Sequence, residues 1–428
     1  MPEPIIFHVD VNSAFLSWEA VNRLKKDPDA QDIRDIPAVI GGSEENRHGI
    51  VLAKSMKAKS YGICTGEPLV NARKKCPELY VASPDYALYV RSSNQFMELL
   101  RHYAPVVEQY SIDEAFCDMT GTTRLYGEPV AFAERLKNEI HSELGFTVNI
   151  GVSSNRLLAK MASDFKKPDL VHTLFPAEVP EKMWPLSVNE LFFVGRSTSR
   201  KLHDLGIHTI GDLAQSDVTI LRGHFKKHGE VIWNYANGRD VEIVTDHKSA
   251  AKSYGNSITI SYDVTDVETA ETFLLSLCET IGTRIRMDHA YVSMVSVTIV
   301  DYNFQRQSHQ MQLPTATNVT EVLYSAACRL FEQMWNHEPI RQLGVSTGHI
   351  SGEDTQQYDL FNTEKNEKLS KLNAAIDSIR SRYGEDAVRR ARFINSDQSH
   401  MAGGLSREKR SGIRQSSSLP PSDDSASR

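Results

Sequence analysis

Residues 110–119 read YSIDEAFCDM and carry two adjacent acids, Asp113 and Glu114, inside an otherwise mostly apolar run. Neighbouring residues on a regular strand point to opposite faces of the sheet, and a buried unpaired carboxylate is costly and rare. Two explanations are open from this stretch alone. The acids mark a strand end where the chain turns into water, or they belong to a metal site, which needs a third carboxylate from elsewhere in the chain.

A third acid lies near the end of a predicted N-terminal strand. The segment Ile5–Val11 is apolar and rich in β-formers, and it contains Asp10. Apolar spacing then predicts a helix, two strands joined by a bend at 111–113, a helix, a strand and a helix: Tyr86–Tyr103, Val106–Tyr110, Glu114–Met119, Pro129–Leu144, Thr147–Val152 and Leu157–Phe165. Apart from a basic insert at 53–76, this β-α-β-β-α-β order is ferredoxin-like, so the three acids are expected to meet at one end of a sheet. Adjacent acids at such a bend need not diverge as they would within a strand.

The composition indicates a protein of ordinary globular character. The chain has 428 residues, 40% hydrophobic and 24% charged, with a net charge of −7. It has no apolar run of the ~20 residues that span a membrane, and no basic segment that would open a signal peptide. The five cysteines are odd in number and never CxxC-spaced, which argues against a disulfide framework or zinc site and fits the cytoplasm. The acidic balance does not exclude nucleic acid, because residues 53–76 concentrate six basic residues against Glu67.

The second half of the chain contains two further patterned regions and a polar tail. Glycines punctuate short helices at 191–240, which resembles helix-hairpin-helix modules that grip phosphates; a small helical bundle with glycine C-caps is the alternative. After a polar linker, residues 252–350 repeat the β-α-β-β-α-β order. Glu367–Arg392 is predicted to be helical, and the Ser-rich residues 396–428 are predicted to be disordered.

Three segments together resemble a known family: HVDVNSAFLSWE (8–19), YSIDEAF (110–116) and GVSSNRLLAKMASDFKKPD (151–169). They are similar to the signature blocks of the Y-family, or translesion, DNA polymerases, in the branch of bacterial polymerase IV and its Gram-positive relatives. The resemblance implies a multi-domain α+β right hand with a ferredoxin-like palm, small fingers, a helical thumb with helix-hairpin-helix modules and an α/β little finger. The implied boundaries are palm (1–22 and 78–165), fingers (23–77), thumb (166–240), little finger (245–350), clamp-binding segment and C-terminal helix (351–394), and disordered tail (395–428).

The implied activity is template-directed addition of dNMP to a primer 3′-hydroxyl, without proofreading, by a monomer acting on primer–template DNA and dNTPs. Asp10, Asp113 and Glu114 would hold two Mg²⁺ ions, with the Val11 carbonyl as a further ligand. Oxygen ligands suit this hard cation, and two-metal sites clamp both the attacking and the leaving oxygen. Phe15, five residues after Asp10, occupies the family's steric-gate position, where an aromatic ring leaves no room for a ribose 2′-hydroxyl.

The resemblance also implies nucleotide and DNA contacts, with three departures from the family pattern. Lys59 and Lys160 would contact the triphosphate, and Gly195 and Gly229 would contact DNA phosphates. The fingers usually show a Tyr and an Arg three residues apart, where this chain has Met56 and Lys59. Lysine keeps the charge of arginine but loses its bidentate fork. The first thumb hairpin usually begins with glycine, where this chain has Phe193.

A short peptide beyond the little finger resembles the bacterial sliding-clamp-binding motif. It is QYDLF, made of Gln357, Tyr358, Asp359, Leu360 and Phe361. An exposed Leu-Phe pair in a polar segment is expected to dock in a pocket. The pocket belongs to the clamp, or the pair anchors the C-terminal helix on the little finger.

Three other functions are compatible with parts of the sequence. A polymerase V-like catalytic subunit would share the same motifs. A nucleotide cyclase can also carry paired palm acids, but it lacks the hairpin modules and the clamp peptide. A non-catalytic DNA-binding accessory would not need all three carboxylates. Templated primer extension would distinguish a polymerase from the last two.

Overall fold

The structure, a computed structural model, describes residues 4–43, 47, 49–247, 250–352, 363–394, 396 and 398–402. The chain divides into two compact units. The first comprises Met1–Ile40, Val51–Glu67 and Asn71–Lys248, and the second comprises Gly41–Ile50, Pro68–Val70 and Ser249–Arg428. Among the described residues, no helix has the length and apolar character that a membrane span requires.

Through residue 247 the chain forms two sheets and a series of helices. In chain order the elements are β1 (Ile6–Val11), α1 (Ala14–Lys26), β2 (Ala38–Gly41), β3 (Val51–Lys54), α2 (Met56–Ser60), α3 (Leu69–Lys75), β4 (Tyr80–Ala82), α4 (Tyr86–Tyr103), β5 (Val106–Gln109), β6 (Glu114–Asp118), α5 (Thr123–Tyr126), α6 (Pro129–Leu144), β7 (Val148–Ser153), α7 (Arg156–Asp164), β8 (Val171–Thr173), α8 (Arg196–Asp204), α9 (Ile210–Gln215), α10 (Val218–Phe225) and α11 (Lys227–Ala236). The larger sheet has the order β5-β6-β1-β7-β8, and the smaller has the order β3-β2-β4.

The larger sheet confirms the predicted ferredoxin-like arrangement. Strand β1 lies at its centre, antiparallel to both β6 and β7. The three-residue β8 pairs in parallel with β7 and extends the edge. Neither β8 nor α1 was predicted, because a three-residue strand has too little sequence to show a period.

Strand β1 is buried on both faces. Phe7 contacts Phe132 of α6 with their rings 6.3 Å apart, in the core that also contains α4. Ile6 packs on the other face against Ala159 of α7. Because side chains alternate along a strand, His8 and Asp10 share the α7 face with Ile6.

The second unit contains a four-stranded sheet with helices on one face. Its elements are β9 (Gly255–Val264), α12 (Val267–Met287), β10 (Tyr291–Asp301), β11 (Arg306–Thr317), α13 (Thr320–Met334), β12 (Ile340–Ser351) and α14 (Thr363–Tyr383). The strand order is β11-β10-β12-β9, with antiparallel pairing throughout. Helices α12 and α13 supply the apolar side chains that pack on the sheet. This confirms the second predicted β-α-β-β-α-β region.

The C-terminal region differs from its prediction in two respects. Helix α14 ends at Tyr383, before Gly384 at φ 97°, whereas the sequence predicted a helix to Arg392. Residues 398–402 were placed in a disordered tail, but Met401 and Ala402 are buried, and the Ala402 amide donates to Ser276 Oγ of α12 at 2.5 Å. The prediction is wrong for these residues because a compositional average over a Ser-rich stretch hides two apolar side chains that dock locally. Residues 403–428 lie outside the described residues.

Gly151 allows α7 to approach β7 closely. A Cβ at this position would lie 1.9 Å from the Ala159 carbonyl oxygen and 2.6 Å from the Ser163 amide nitrogen. Both atoms are helix backbone, so they cannot move without displacing α7. The glycine therefore fixes the depth at which α7 and its side chains sit against the sheet.

We predict that Gly151→Ala lowers the free energy of unfolding by about 1–3 kcal/mol, the usual cost of an extra methyl group in a packed core. Urea denaturation followed by circular dichroism measures this. Gly223→Ala is the matched control, because a Cβ there meets open space within α10 and alanine is the better helix former. Equal stability of the two variants would contradict the packing role of Gly151.

Candidate active site

Three carboxylates meet where β1 ends and β6 begins. Asp10 lies opposite Glu114 in the β1–β6 register. The Val11 amide donates to the Asp113 carbonyl oxygen at 3.0 Å, which fixes the bend beside the end of β1. Ser111 Oγ donates to Asp113 Oδ1 at 2.6 Å. The bend accounts for the adjacent acids, since Asp113 precedes the regular strand that starts at Glu114.

Two lysines from the α7 region contact these carboxylates. Lys160 Nζ lies 2.6 Å from Glu114 Oε2. Lys167 Nζ contacts Asp10 Oδ2 and lies 2.9 Å from Asp164 Oδ1. Lys160 was predicted from the resemblance, whereas Lys167 was missed. The only sequence signal for Lys167 is the basic Lys-Lys-Pro run that follows α7.

Burial and the neighbouring cations set the ionisation of the acids in opposite directions. Burial raises the pKa of Asp10, although Lys167 offsets part of that shift. Burial would also raise the pKa of Glu114, but hydrogen bonds from His8 and Lys160 outweigh it and lower the pKa to about 2. Glu114 is therefore a permanent anion at neutral pH.

The acids supply oxygen donors of the kind that hard divalent cations prefer. In the described residues, no three His, Cys, Asp or Glu side chains are grouped closely enough to hold an ion as they stand. The lysine contacts account for this, because Lys160 and Lys167 each bond one of the carboxylates that such a group would need. The donor chemistry fits a divalent ion that displaces these two ammonium groups.

A cleft of about 510 Å³ opens beside the carboxylates. Its lining includes Asp10, Asp113, Phe15, Met56 and Lys59. A volume of this size accommodates a nucleotide-sized ligand. The cleft thus brings together acids from the sheet end, an aromatic ring from α1 and a cation from α2.

Phe15 is a fixed wall of this cleft. It lies in the first turn of α1, and its ring stacks on the fully buried ring of Tyr89 at a centroid distance of 4.4 Å and an interplanar angle of 8°. Trp18 also packs against Tyr89. The stack holds the Phe15 ring in one orientation, as expected for a side chain that excludes a substituent by shape.

Met56 and Lys59 both belong to α2 and are exposed at the cleft. Ser55 caps this helix by accepting a hydrogen bond from the Ala58 amide at 3.0 Å. Residues three apart on a helix share a face, so the two side chains are neighbours. The structure therefore places them where the family's Tyr and Arg would lie.

The thumb glycines have different environments. Gly195 precedes α8, and a Cβ there would meet open space. Gly229 lies inside α11, where a Cβ would be 2.4 Å from the Leu221 carbonyl oxygen, and its amide donates to the Lys226 carbonyl oxygen at 3.1 Å. The expected phosphate contact through Gly229 is therefore not supported. Its lack of a side chain has a packing reason, the close approach of α10 and α11.

Phe193 occupies a backbone conformation that favours glycine. Its φ is 70°, and 55% of its surface is exposed. The ring packs edge-on against Phe192 and Tyr235, at centroid distances of 4.7 and 5.8 Å. The family's glycine at this turn thus has a conformational reason, and aromatic packing accompanies the strained φ in this chain. The clamp-like peptide 357–361 lies outside the described residues.

Comparison with known proteins gives consistent matches along the chain. The impB/mucB/samB family matches residues 9–164, its C-terminal domain matches residues 251–360, and the IMS family HHH motif matches residues 176–207. A DNA polymerase IV of Clostridium acetobutylicum is 46% identical over 92% of this chain and 99% of its own length. A DNA polymerase IV of Alkaliphilus oremlandii is 37% identical over 91% of this chain and 99% of its own length. A solved Y-family DNA polymerase chimera of Dbh and Dpo4 covers 82% of this chain and all of its own, with a TM-score of 0.70 at 22% identity, which shows the shared fold.

Proposed function

Because the chain belongs to the impB/mucB/samB family of Y-family DNA polymerases, we propose that it extends primers by two-metal phosphoryl transfer at Asp10, Asp113 and Glu114. It is a DNA-directed DNA polymerase of the translesion type that acts on primer–template DNA and dNTPs with a divalent metal. The relatives are named polymerase IV, which favours that branch over the polymerase V alternative. Family membership also replaces the cyclase and non-catalytic alternatives.

The observation that carries the mechanism is the convergence of three carboxylates at the mouth of the cleft. Strand pairing fixes Asp10 against Glu114, and the Val11–Asp113 backbone bond fixes the third acid. We identify the ions as Mg²⁺, with the Val11 carbonyl as a further ligand, because the donors are all oxygens. When bound, two Mg²⁺ ions activate the primer 3′-hydroxyl and neutralise the pyrophosphate leaving group.

Side chains around the cleft would orient the nucleotide. Lys160 is 2.6 Å from Glu114 and can transfer its charge to a triphosphate once Glu114 binds metal. Lys59 would contact the phosphates as a point charge rather than as a fork. Phe15, held by Tyr89, would lie under the sugar and reject a 2′-hydroxyl. Gly195 would let DNA phosphate approach the start of α8.

The remaining parts of the proposal concern organisation and recruitment. The four-domain boundaries and the monomeric state remain predictions. The elements described through residue 402 fall within polymerase domains and a C-terminal segment, which supports a lack of proofreading. All five cysteines are free, which supports a reducing cytoplasm. Recruitment by the sliding clamp rests on residues 357–361.

We predict that Asp113→Asn abolishes nucleotide addition, by at least about 100-fold, and leaves DNA binding nearly intact. The substitution removes a metal-binding charge, whereas DNA is held mainly through phosphate contacts elsewhere. Single-nucleotide primer extension and fluorescence anisotropy on the same duplex measure the two properties. Asp118→Asn, on the same strand but outside the cleft lining, is the control; a normal rate for Asp113→Asn would eliminate the two-metal site.

Replacing Phe15 by Ala should admit ribonucleotides. Removal of the ring opens space at the 2′ position, so the ratio of kcat/KM for rNTP to that for dNTP should rise by at least about tenfold. The measurement compares both nucleotides opposite one template base. Phe132→Leu, a core change on α6, controls for general loosening; if Phe15→Ala leaves the ratio unchanged, the sugar is selected elsewhere.

The double substitution of Leu360 and Phe361 by Ala should lower processivity when the clamp is present and change nothing without it. A short anchor raises the local concentration of the enzyme at the primer end. Two buried apolar side chains at about 1.5–3 kcal/mol each suffice for a weak, exchangeable contact. Pull-down with purified clamp and a melting curve measure the outcome. If the pair instead anchors the C-terminal helix, the melting temperature and clamp-free activity fall together and clamp binding is retained.

A further inference from the structure

His8 is a fully buried polar residue that touches the active site from behind. It lies on the central strand β1, two residues before Asp10 and on the same face. Its Nε2 is 3.1 Å from Glu114 Oε2, and its Nδ1 is 2.7 Å from Ser163 Oγ of α7. Both ring nitrogens are therefore engaged, one of them with a proposed metal ligand.

The hydrogen-bond chemistry gives His8 a defined direction. An ionised carboxylate only accepts hydrogen bonds, so Nε2 must carry the proton that it shares with Glu114. Ser163 Oγ also lies 2.8 Å from the Lys160 carbonyl oxygen, so the hydroxyl that holds the ring is itself held by α7. The ring also packs on Phe116 of β6 with centroids 4.7 Å apart.

The donors around Glu114 are asymmetric. His8 and Lys160 both bond Oε2, and within the described residues no hydrogen bond to Oε1 is found. The Lys160 ammonium ends a flexible four-carbon chain and is exchangeable. The His8 ring, in contrast, is fixed on the central strand and cannot follow a substrate. It is thus the permanent support of the carboxylate, and Oε1 is left for the ion.

We propose that His8 is a positioning residue that holds the Glu114 carboxylate in its metal-binding orientation and so sets the affinity of the enzyme for its divalent ion. The inference rests on the proposed metal-binding role of Glu114. Hydrogen-bond partners of metal ligands fix ligand orientation, and their loss usually costs 10–100-fold in metal affinity or activity. The competing interpretation is a core histidine that only contributes to stability.

The test measures metal binding without turnover. The full chain is bound to a primer–template that ends in a dideoxynucleotide, together with the matching dNTP. Free Mn²⁺ is titrated by electron paramagnetic resonance, and the signal of DNA and dNTP alone is subtracted. His8→Leu removes both ring hydrogen bonds at similar apolar bulk, whereas His8→Gln keeps an amide donor at the position of Nε2. We expect His8→Leu to weaken Mn²⁺ binding about tenfold or more and His8→Gln to recover most of it.

Controls separate positioning from stability and from the proposed function. Ser153→Ala removes another buried hydrogen bond, to the Leu174 carbonyl oxygen, and should leave the Mn²⁺ affinity unchanged. If His8→Leu lowers the melting temperature but binds Mn²⁺ as the wild type does, the inference is overturned. Glu114→Gln is measured in parallel. Weakened binding by Glu114→Gln with normal binding by His8→Leu overturns the inference alone, and normal binding by Glu114→Gln overturns the metal-binding role itself.

Discussion

The pairing of β1 with β6 is the constraint on which the active site depends. Antiparallel register sets Asp10 opposite Glu114, and a slip of one residue would turn every β1 side chain to the other face. Such a slip is strongly disfavoured because β1 is buried on both sides, with Phe7 in the α4–α6 core and Ile6 against α7. Apolar burial at one end of the strand thus fixes the position of carboxylates at the other.

Helix α7 completes the site from the side that the sheet leaves open. Gly151 lets the helix approach β7 closely, and this depth allows Ser163 to reach His8 and Lys160 to reach Glu114. Carboxylates this deeply placed would lose hydration without nearby cations and donors. The same helix therefore packs the core, neutralises the acids and orients one of them.

The sequence predicted the order of elements and the meeting of the three acids because both follow from local periodicity and strand topology. It did not predict Lys167 or His8. Their contacts depend on the depth of α7 and on a loop geometry that no local pattern encodes. His8 reads as one more residue of a buried strand until the Glu114 carboxylate is seen 3.1 Å away. Gly229 shows the opposite error, since a glycine in a phosphate-binding context was explained by its neighbour Leu221.

Buried carboxylates have a different role in the second unit. Glu279 of α12 is 3% exposed and bonds Arg380 at 2.7 Å and Arg390 at 2.5 Å, both from the segment that follows the little finger. Arg390 also bonds Glu321 of α13, so the C-terminal segment is tied to both helices.

Breaking such a buried pair costs about 3–5 kcal/mol because it leaves an uncompensated charge. In the palm, Asp10 and Asp113 line an open cleft, where an incoming ion can replace the lysines. Glu279 pairs with guanidinium groups inside the fold, where no exchange is needed. The two units therefore use the same chemistry in two ways: the palm keeps its cations replaceable, and the little finger uses fixed cations to hold the C-terminal segment in place.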